Sequence, residues 1–272
     1  MTISTQPLRP PYRLEVGVVS EKGKSHETNE DCYRLDAERG LFLLADGIGG
    51  HQAGEVASRL AIEVLYHALT FSLSGALKET MGNALLAAHQ AIREKAEEHD
   101  DYRGMGTTAL IGWVRIPDSL LWTAHIGNSR AYLWRDGTLR QLTEDHTMLN
   151  ELRKANRLPP DPRDWPSPAV LSQALGSRQP FLAPGFGEWT LQIGDRILFC
   201  SDGVSDVLPE QELLAVLSAA GEPQQLCERL AQAVQEKDAP DDYTAILVEL
   251  RAVSGRERAI QTVQIATEEV KE

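Results

Sequence analysis

The sequence predicts an α+β fold in which two antiparallel sheets pack face to face and pairs of helices cover their outer sides. Three observations carry this reading. Apolar residues alternate in some segments and recur at three- and four-residue spacing in others. The elements come in blocks, namely strands, two helices, several strands, two helices and a last strand. Tight turns join neighbouring strands, which makes them antiparallel, and antiparallel sheets with segregated helices are layered rather than doubly wound.

Residues 1–12 are polar and proline-bearing and read as an N-terminal arm. A strand is expected over 13–19, where Leu14, Val16 and Val18 alternate with other residues, and two more over 31–36 and 40–45. Ala53, Val56, Ala57, Leu60, Ala61, Val64, Leu65 and Ala68 then line one face of a long amphipathic helix. Leu77, Met81, Leu85, Ala88 and Ile92 do the same for a second helix. Strands follow at 107–115 and 119–127. "SRAYLWR" and "TLRQL" flank Asp136-Gly137, a strong two-residue hairpin signal. "EWTLQI" and "RILFCS" flank a second tight turn at Gly194-Asp195. Helices near 209–219 and 222–236 precede a last strand at 243–250, and 251–272 is a charged C-terminal tail. Between 142 and 176 little regular pattern is visible, and the prolines crowd into 159–168. A long irregular insertion in a compact domain is often a functional flap.

With no repeat and no linker, 13–250 reads as one domain, long enough to bury a large core. The net charge of −13 argues against a nucleic-acid partner, which needs a basic footprint. Three scattered cysteines, Cys32, Cys200 and Cys227, suit a reducing compartment and no disulfide framework. No apolar leader and no run long enough to span a membrane are visible, so a cytoplasmic protein is expected.

The chemistry is concentrated in carboxylates. "LFLLADGIGGH" ends an apolar strand on Asp46, and "RILFCSDG" ends another on Asp202. "APDDYTAIL" opens the last strand with Asp241-Asp242, and "TNED" places Asp31 at the start of an early one. One Asp-Gly after a strand is ordinarily a turn. Several aspartates at the ends of core strands are costly unless they are paired or bind metal, and the neighbouring basic residues are too few to pair them all. Hard oxygen ligands suit Mg²⁺ or Mn²⁺. A glycine after Asp46 lets a backbone carbonyl or a substrate come close. "RGMGTTA" imitates a dinucleotide fingerprint, but it leaves a helix and enters a strand, the reverse of that motif.

In order, "EKGKSHETNED", "LLADGIGGHQAGEVAS", "GMGTTAL", "AHIGNSRAYLWRDG", "LTEDHT", "LFCSDGVSD" and "PDDYTAIL" resemble the motifs of the metal-dependent, type 2C serine/threonine protein phosphatases in their bacterial form. The resemblance implies an αββα sandwich with two Mn²⁺ or Mg²⁺ ions at one end of the sheets. It implies hydrolysis of phosphoserine and phosphothreonine in proteins by a hydroxide held between the metals. It implies that Asp46 bridges both ions, that Gly47 offers its carbonyl to the second, and that Asp202 and Asp241 bind the first. Asp31 then holds metal-bound water from behind. The partners implied are phosphorylated proteins and an opposing serine/threonine kinase, and a monomer is expected.

Three positions depart from the family pattern. His26 stands where bacterial members often carry an arginine that clamps phosphate, and histidine is a weaker, pH-dependent substitute. Asn128 replaces an aspartate that commonly ligates a third metal, which leaves Asp206 as the charged partner and weakens that site. Asp242 replaces an asparagine. His51 is a candidate general acid for the leaving alkoxide or a residue orienting its loop. His125 and His146 are expected to serve packing and flap structure. A phosphoprotein phosphatase is the leading function; a weakly active metal-binding sensor or scaffold and a small-ester hydrolase are the alternatives.

Overall fold

The computed structural model describes residues 12–49, 53–71, 76–115, 118–178 and 183–253. Strands β1 (Tyr12–Glu21), β2 (Asp31–Asp36) and β3 (Leu41–Ile48) are followed by helices α1 (Ala53–Phe71) and α2 (Leu77–Glu98). Then come β4 (Gly106–Thr107), β5 (Ala109–Arg115), β6 (Leu120–Ile126), β7 (Arg130–Arg135) and β8 (Thr138–Gln141). Helix α3 (Met148–Lys154) precedes β9 (Gly185–Thr190) and β10 (Arg196–Cys200). The chain closes with α4 (Asp202–Ser205), α5 (Glu210–Ser218), α6 (Pro223–Gln235) and β11 (Tyr243–Ala252). One sheet has the order β1-β11-β10-β7-β8, the other β2-β3-β5-β6-β9 with β4 paired to β3. All the ladders are antiparallel.

Three apolar clusters stack these elements into helix, sheet, sheet and helix layers. Leu41, Leu43 and Ala45 of β3 pack against Ala57, Ala61 and Leu65 of α1 and Leu85, Ala88 and Ile92 of α2. Phe42 and Leu44, on the other face of β3, meet Ile197 and Phe199 of β10 and Ile246 and Val248 of β11 between the sheets. Leu198 and Leu247 point outward to Leu213 and Leu217 of α5 and Leu226, Leu230 and Val234 of α6. Strands β3, β10 and β11 therefore bury both faces, which is why they read as continuous apolar runs instead of alternating ones. The Phe42 and Phe199 rings stack across the sandwich with centroids 5.9 Å apart. Truncating either to alanine is expected to cost about 3–5 kcal/mol.

Local signals set the element ends. Glu222 and Gln225 form a reciprocal capping box at the start of α6, with Pro223 in the first turn, where its missing N–H is not needed. Asp136 (φ 50°) and Gly137 (φ 78°) make the β7–β8 hairpin turn, with Arg135 opposite Thr138. The Gly194-Asp195 turn is tight but does not form a hairpin. β9 pairs with β6, whereas β10 pairs with β7 and β11, so the chain changes sheets there.

The 142–176 stretch is less irregular than its composition suggests. Thr147 caps α3 by accepting a hydrogen bond from Asn150 N–H, 3.2 Å. No residue of α3 is buried, so it lacks the apolar period that would have revealed it. Strand β1 begins at Tyr12 and β11 ends at Ala252, slightly beyond the expected 13–250 span. The rest of the expected arm, most of the tail and His51 lie outside the described residues. Among the described residues, no helix is long and apolar enough to cross a membrane.

Candidate functional site

The topology brings the carboxylates singled out in the sequence to one end of the sandwich. Asp46 lies near the C-terminal end of β3, and Asp31, at the start of β2, pairs with it across the ladder. Asp202 follows β10, and Asp241-Asp242 precede β11, which runs antiparallel beside β10. One end of each sheet thus delivers acidic residues to a shared rim. Asp46 and Asp202 are close enough to share a hydrogen bond, and burial followed by the charge of Asp202 pushes Asp46 well above the usual carboxylate range. Asp241 is also raised, by burial and by Asp202.

Asp31 joins the two sheets directly. Its Oδ2 accepts at 2.7 Å from Ser201 Oγ, directly after β10, and from Thr244 Oγ1, in β11, both strands of the opposite sheet. Burial pushes its pKa up to about 7, partly opposed by those two hydroxyls. Its Oδ1 is buried with no hydrogen-bond partner. An unsatisfied buried carboxylate oxygen beside other carboxylates is the environment that a divalent cation relieves. Asp46, Asp202 and Asp241, with Asp31 beside Asp46, therefore gather carboxylate oxygens of the kind that suits Mg²⁺ or Mn²⁺ at one rim, while among the described residues the three ligand atoms that lie within 4.8 Å of one another are those of His26, Asp241 and Asp242.

Backbone hydrogen bonds hold Asp46 in place. Its N–H donates to Thr108 Oγ1 (3.0 Å), and its carbonyl accepts from Thr107 Oγ1 (2.7 Å) and Thr108 N–H (2.8 Å). Gly47 must be glycine here. A Cβ would collide with the backbone of Gly54 in α1 and lie 2.8 Å from the Glu30 carbonyl oxygen. The absent side chain lets the first turn of α1 pack against the strand that carries Asp46.

The three departures from the family pattern have distinct surroundings. Asn128 Nδ2 donates to Asp202 Oδ2 at 2.8 Å, so its amide orients a carboxylate. Asp206 is pushed up by burial and by Asp202, and its Oδ1 lies 3.5 Å from Arg130 Nη2. Asp242 is buried and fully used: Gly23 N–H and Glu30 N–H each donate to it at 2.7 Å, and His26 Nδ1 lies 2.8 Å away. His26 Nδ1 is also 3.5 Å from Asp241 Oδ1, and the Asp242 hydrogen bond is the main cause of its raised pKa. That leaves Nε2 as the ring nitrogen available to a ligand.

His125 and His146 sit away from the carboxylates, stacked with centroids 4.8 Å apart. His125 Nε2 pairs with the Glu144 carbonyl at 2.8 Å, and His146 Nδ1 accepts from Gly127 N–H at 3.3 Å. Burial lowers both pKa values, that of His146 to about 4, so they are neutral packing groups at the base of the flap. Sequence reasoning missed Ser201, Thr244 and Thr108, which position the acids, and the structural role of Asp242. It also missed the Arg130–Asp145 bond, 2.9 Å through Nε and 2.6 Å through Nη2, that pins the start of the flap. The "CSD" and "DDYT" strings place hydroxyls beside Asp202 and Asp242, a local signal for the first two.

Comparison with known proteins agrees with the fold. Residues 22–248 match the model of the protein phosphatase 2C family. The chain is 34% identical over 238 residues to the serine/threonine protein phosphatase PstP of Mycobacterium tuberculosis, covering 87% of this chain and 45% of that protein. It thus spans about half the length of that relative. It is 30% identical over 244 residues to the protein phosphatase PhpP of Streptococcus pneumoniae, covering 87% of this chain and 98% of that one. The PstP catalytic domain solved with two manganese ions superposes with a TM-score of 0.76 at 32% identity, over 88% of this chain and 99% of that one.

Proposed function

We propose, from the premise that the chain belongs to the protein phosphatase 2C family, that it is a Mn²⁺- or Mg²⁺-dependent phosphatase of phosphoserine and phosphothreonine in proteins. The observation that carries the reading is the convergence of Asp46, Asp202 and Asp241 beside the unpartnered Oδ1 of Asp31. Asp46 and the Gly47 carbonyl, with Asp202 and Asp241, would hold two divalent ions. Bound there, such ions supply an activated water and neutralise phosphate charge. Asp31, fixed by Ser201 and Thr244, orients water from behind, and Asn128 sets the rotamer of Asp202.

In the reaction, water oxygen bonds to phosphorus as the bond to the seryl or threonyl oxygen breaks. That oxygen takes up a proton, for which His51 is the proposed donor. His26 presents Nε2 to the phosphate while Asp242 holds Nδ1. Asn128 and Asp206 make a third, weaker ion position part of the same proposal. So are a cytoplasmic location, a monomeric state and an opposing serine/threonine kinase. The test is phosphate release from a phosphothreonine peptide with and without Mn²⁺. Manganese-dependent turnover is expected, and metal binding with no turnover would overturn the enzyme reading in favour of a sensor or scaffold.

A further inference from the structure

A cavity of about 350 Å³ opens beside the carboxylate rim, between the β7–β8 hairpin and the flap. Its walls include Arg130, Thr143, Glu144, Asp145, Thr147 and Arg153. Arg130 links it to the rim, since its Nη1 donates to the Ser205 carbonyl (3.4 Å) and its Nη2 lies 3.5 Å from Asp206 Oδ1. Ser205 and Asp206 lie three and four residues after Asp202, at the end of the same short helix α4.

The charges of this cavity cancel with one exception. Asp145 is taken by Arg130 and by Gln141 Nε2, 3.1 Å away. Glu144 pairs with Lys154 Nζ at 3.0 Å and accepts from Asn150 Nδ2 at 3.3 Å. Arg153 lines the cavity, and among the described residues its guanidinium has no acidic partner. Thr143 and Thr147 are buried in the wall; each oxygen accepts a backbone N–H, which leaves its hydroxyl proton to donate. The cavity therefore offers one uncommitted cation, with two threonines in its wall, on a chain whose net charge is −13. Such a site selects an anionic group that the remaining surface repels.

We infer that this cavity is a specificity subsite for an anionic side chain, a carboxylate or a second phosphate, flanking the phosphoresidue of the substrate protein, with Arg153 as its reader. The inference rests on the phosphatase reading. The experiment is a panel of phosphothreonine peptides of equal length, each with alanine, glutamate, lysine or phosphoserine at one flanking position. At one or more positions, the glutamate or phosphoserine peptide should exceed the alanine peptide in kcat/KM by about three- to tenfold, the range of a partly exposed charge pair. Which of the two gains more identifies the source of the anion. Arg153→Lys should keep the preference, Arg153→Ala should bring the ratio to about one, and Arg153→Glu should turn it toward lysine peptides. Charge reversal of the preference is a readout that a merely structural role of Arg153 would not produce. Equal turnover of all peptides by an enzyme that hydrolyses p-nitrophenyl phosphate, or a preference that survives Arg153→Ala, overturns this inference alone. Loss of hydrolysis on every substrate overturns the phosphatase reading and this inference with it.

Discussion

Strand β10 carries a buried or half-buried aspartate just outside each end, and the two are treated in opposite ways. Asp195, at the sheet-crossing turn, is 1% exposed and saturated. It accepts from Arg135 Nε at 2.7 Å, from Arg135 Nη2 at 2.6 Å and from Gln192 N–H at 2.7 Å. Asp202, at the other end, has an asparagine amide and a set of carboxylates for neighbours. A charge that stabilises the fold has its compensation built into the chain. One whose compensation must come from outside is available for chemistry. The same contrast separates adjacent residues, with Asp242 saturated and Asp241 left at the rim.

The largest expected effect is at the uncompensated end. Asp46→Asn should reduce Mn²⁺-dependent hydrolysis of p-nitrophenyl phosphate below about a tenth of the starting activity. It should also raise the melting temperature of the metal-free chain, because the repulsion with Asp202 is removed. Retained activity would break the contrast. At the compensated end the outcome inverts. Arg135→Ala leaves Asp195 buried without its partner and should cost about 3–5 kcal/mol in urea unfolding, while restoring no activity to any rim variant. A loss under about 1 kcal/mol would show that Asp195 is hydrated rather than paired.

A third region extends the comparison to bases. His146 is buried and its pKa is lowered from 6.5 to about 4 by burial and by His125. The unfolded chain therefore binds a proton that the folded chain refuses. The stability contributed here is full above about pH 6.5 and is lost as the pH falls toward 4, an effect on the order of 3 kcal/mol. His146→Gln should flatten that part of the melting profile; parallel profiles for the two proteins would refute the assignment. The smallest effect distinguishes the two ends of β10 by ligand. Saturating Mn²⁺ at about 100 times its Kd should add about 2.7 kcal/mol to unfolding, a gain that Asp202→Asn blunts and Arg135→Ala leaves intact. Differential scanning calorimetry with and without the ion reads both.

Much of this was visible in the sequence because it is periodic or local. Helices α1 and α2 declare themselves through apolar faces that the structure buries at Ala57, Ala61, Leu65, Leu85 and Ala88. Asp46 and Asp202 stood out because each ends an apolar run and precedes a glycine. What escaped notice is either without period or non-local. Helix α3 buries nothing and therefore has no stripe to read. The turn at Gly194-Asp195 has hairpin chemistry, and only the pairing of β9 with β6 makes it a crossing. Ser201 and Thr244 lie close to acids in the sequence, but their pairing with Asp31 spans 170 and 213 residues, and that pairing no local pattern records. Asp242 looked like one more acid of the rim; its three donors come from the loop that joins β1 to β2.

The pairing of Asp31 with Asp46 has a consequence for how the chain finds its native alignment. Strand β3 presents Leu41, Leu43 and Ala45 to one core and Phe42 and Leu44 to the other, so it is greasy on both sides. A one-residue slip exchanges those sides at little cost in polarity, and hydrophobicity alone is a poor proofreader of such a strand. The aspartates carry the missing information. A slipped hairpin moves Asp31 to the opposite face, away from Ser201, Thr244 and its fellow acids. A divalent ion held by these acids would act as a checksum on strand alignment, and affinity for it would measure how faithfully the two sheets have been threaded together.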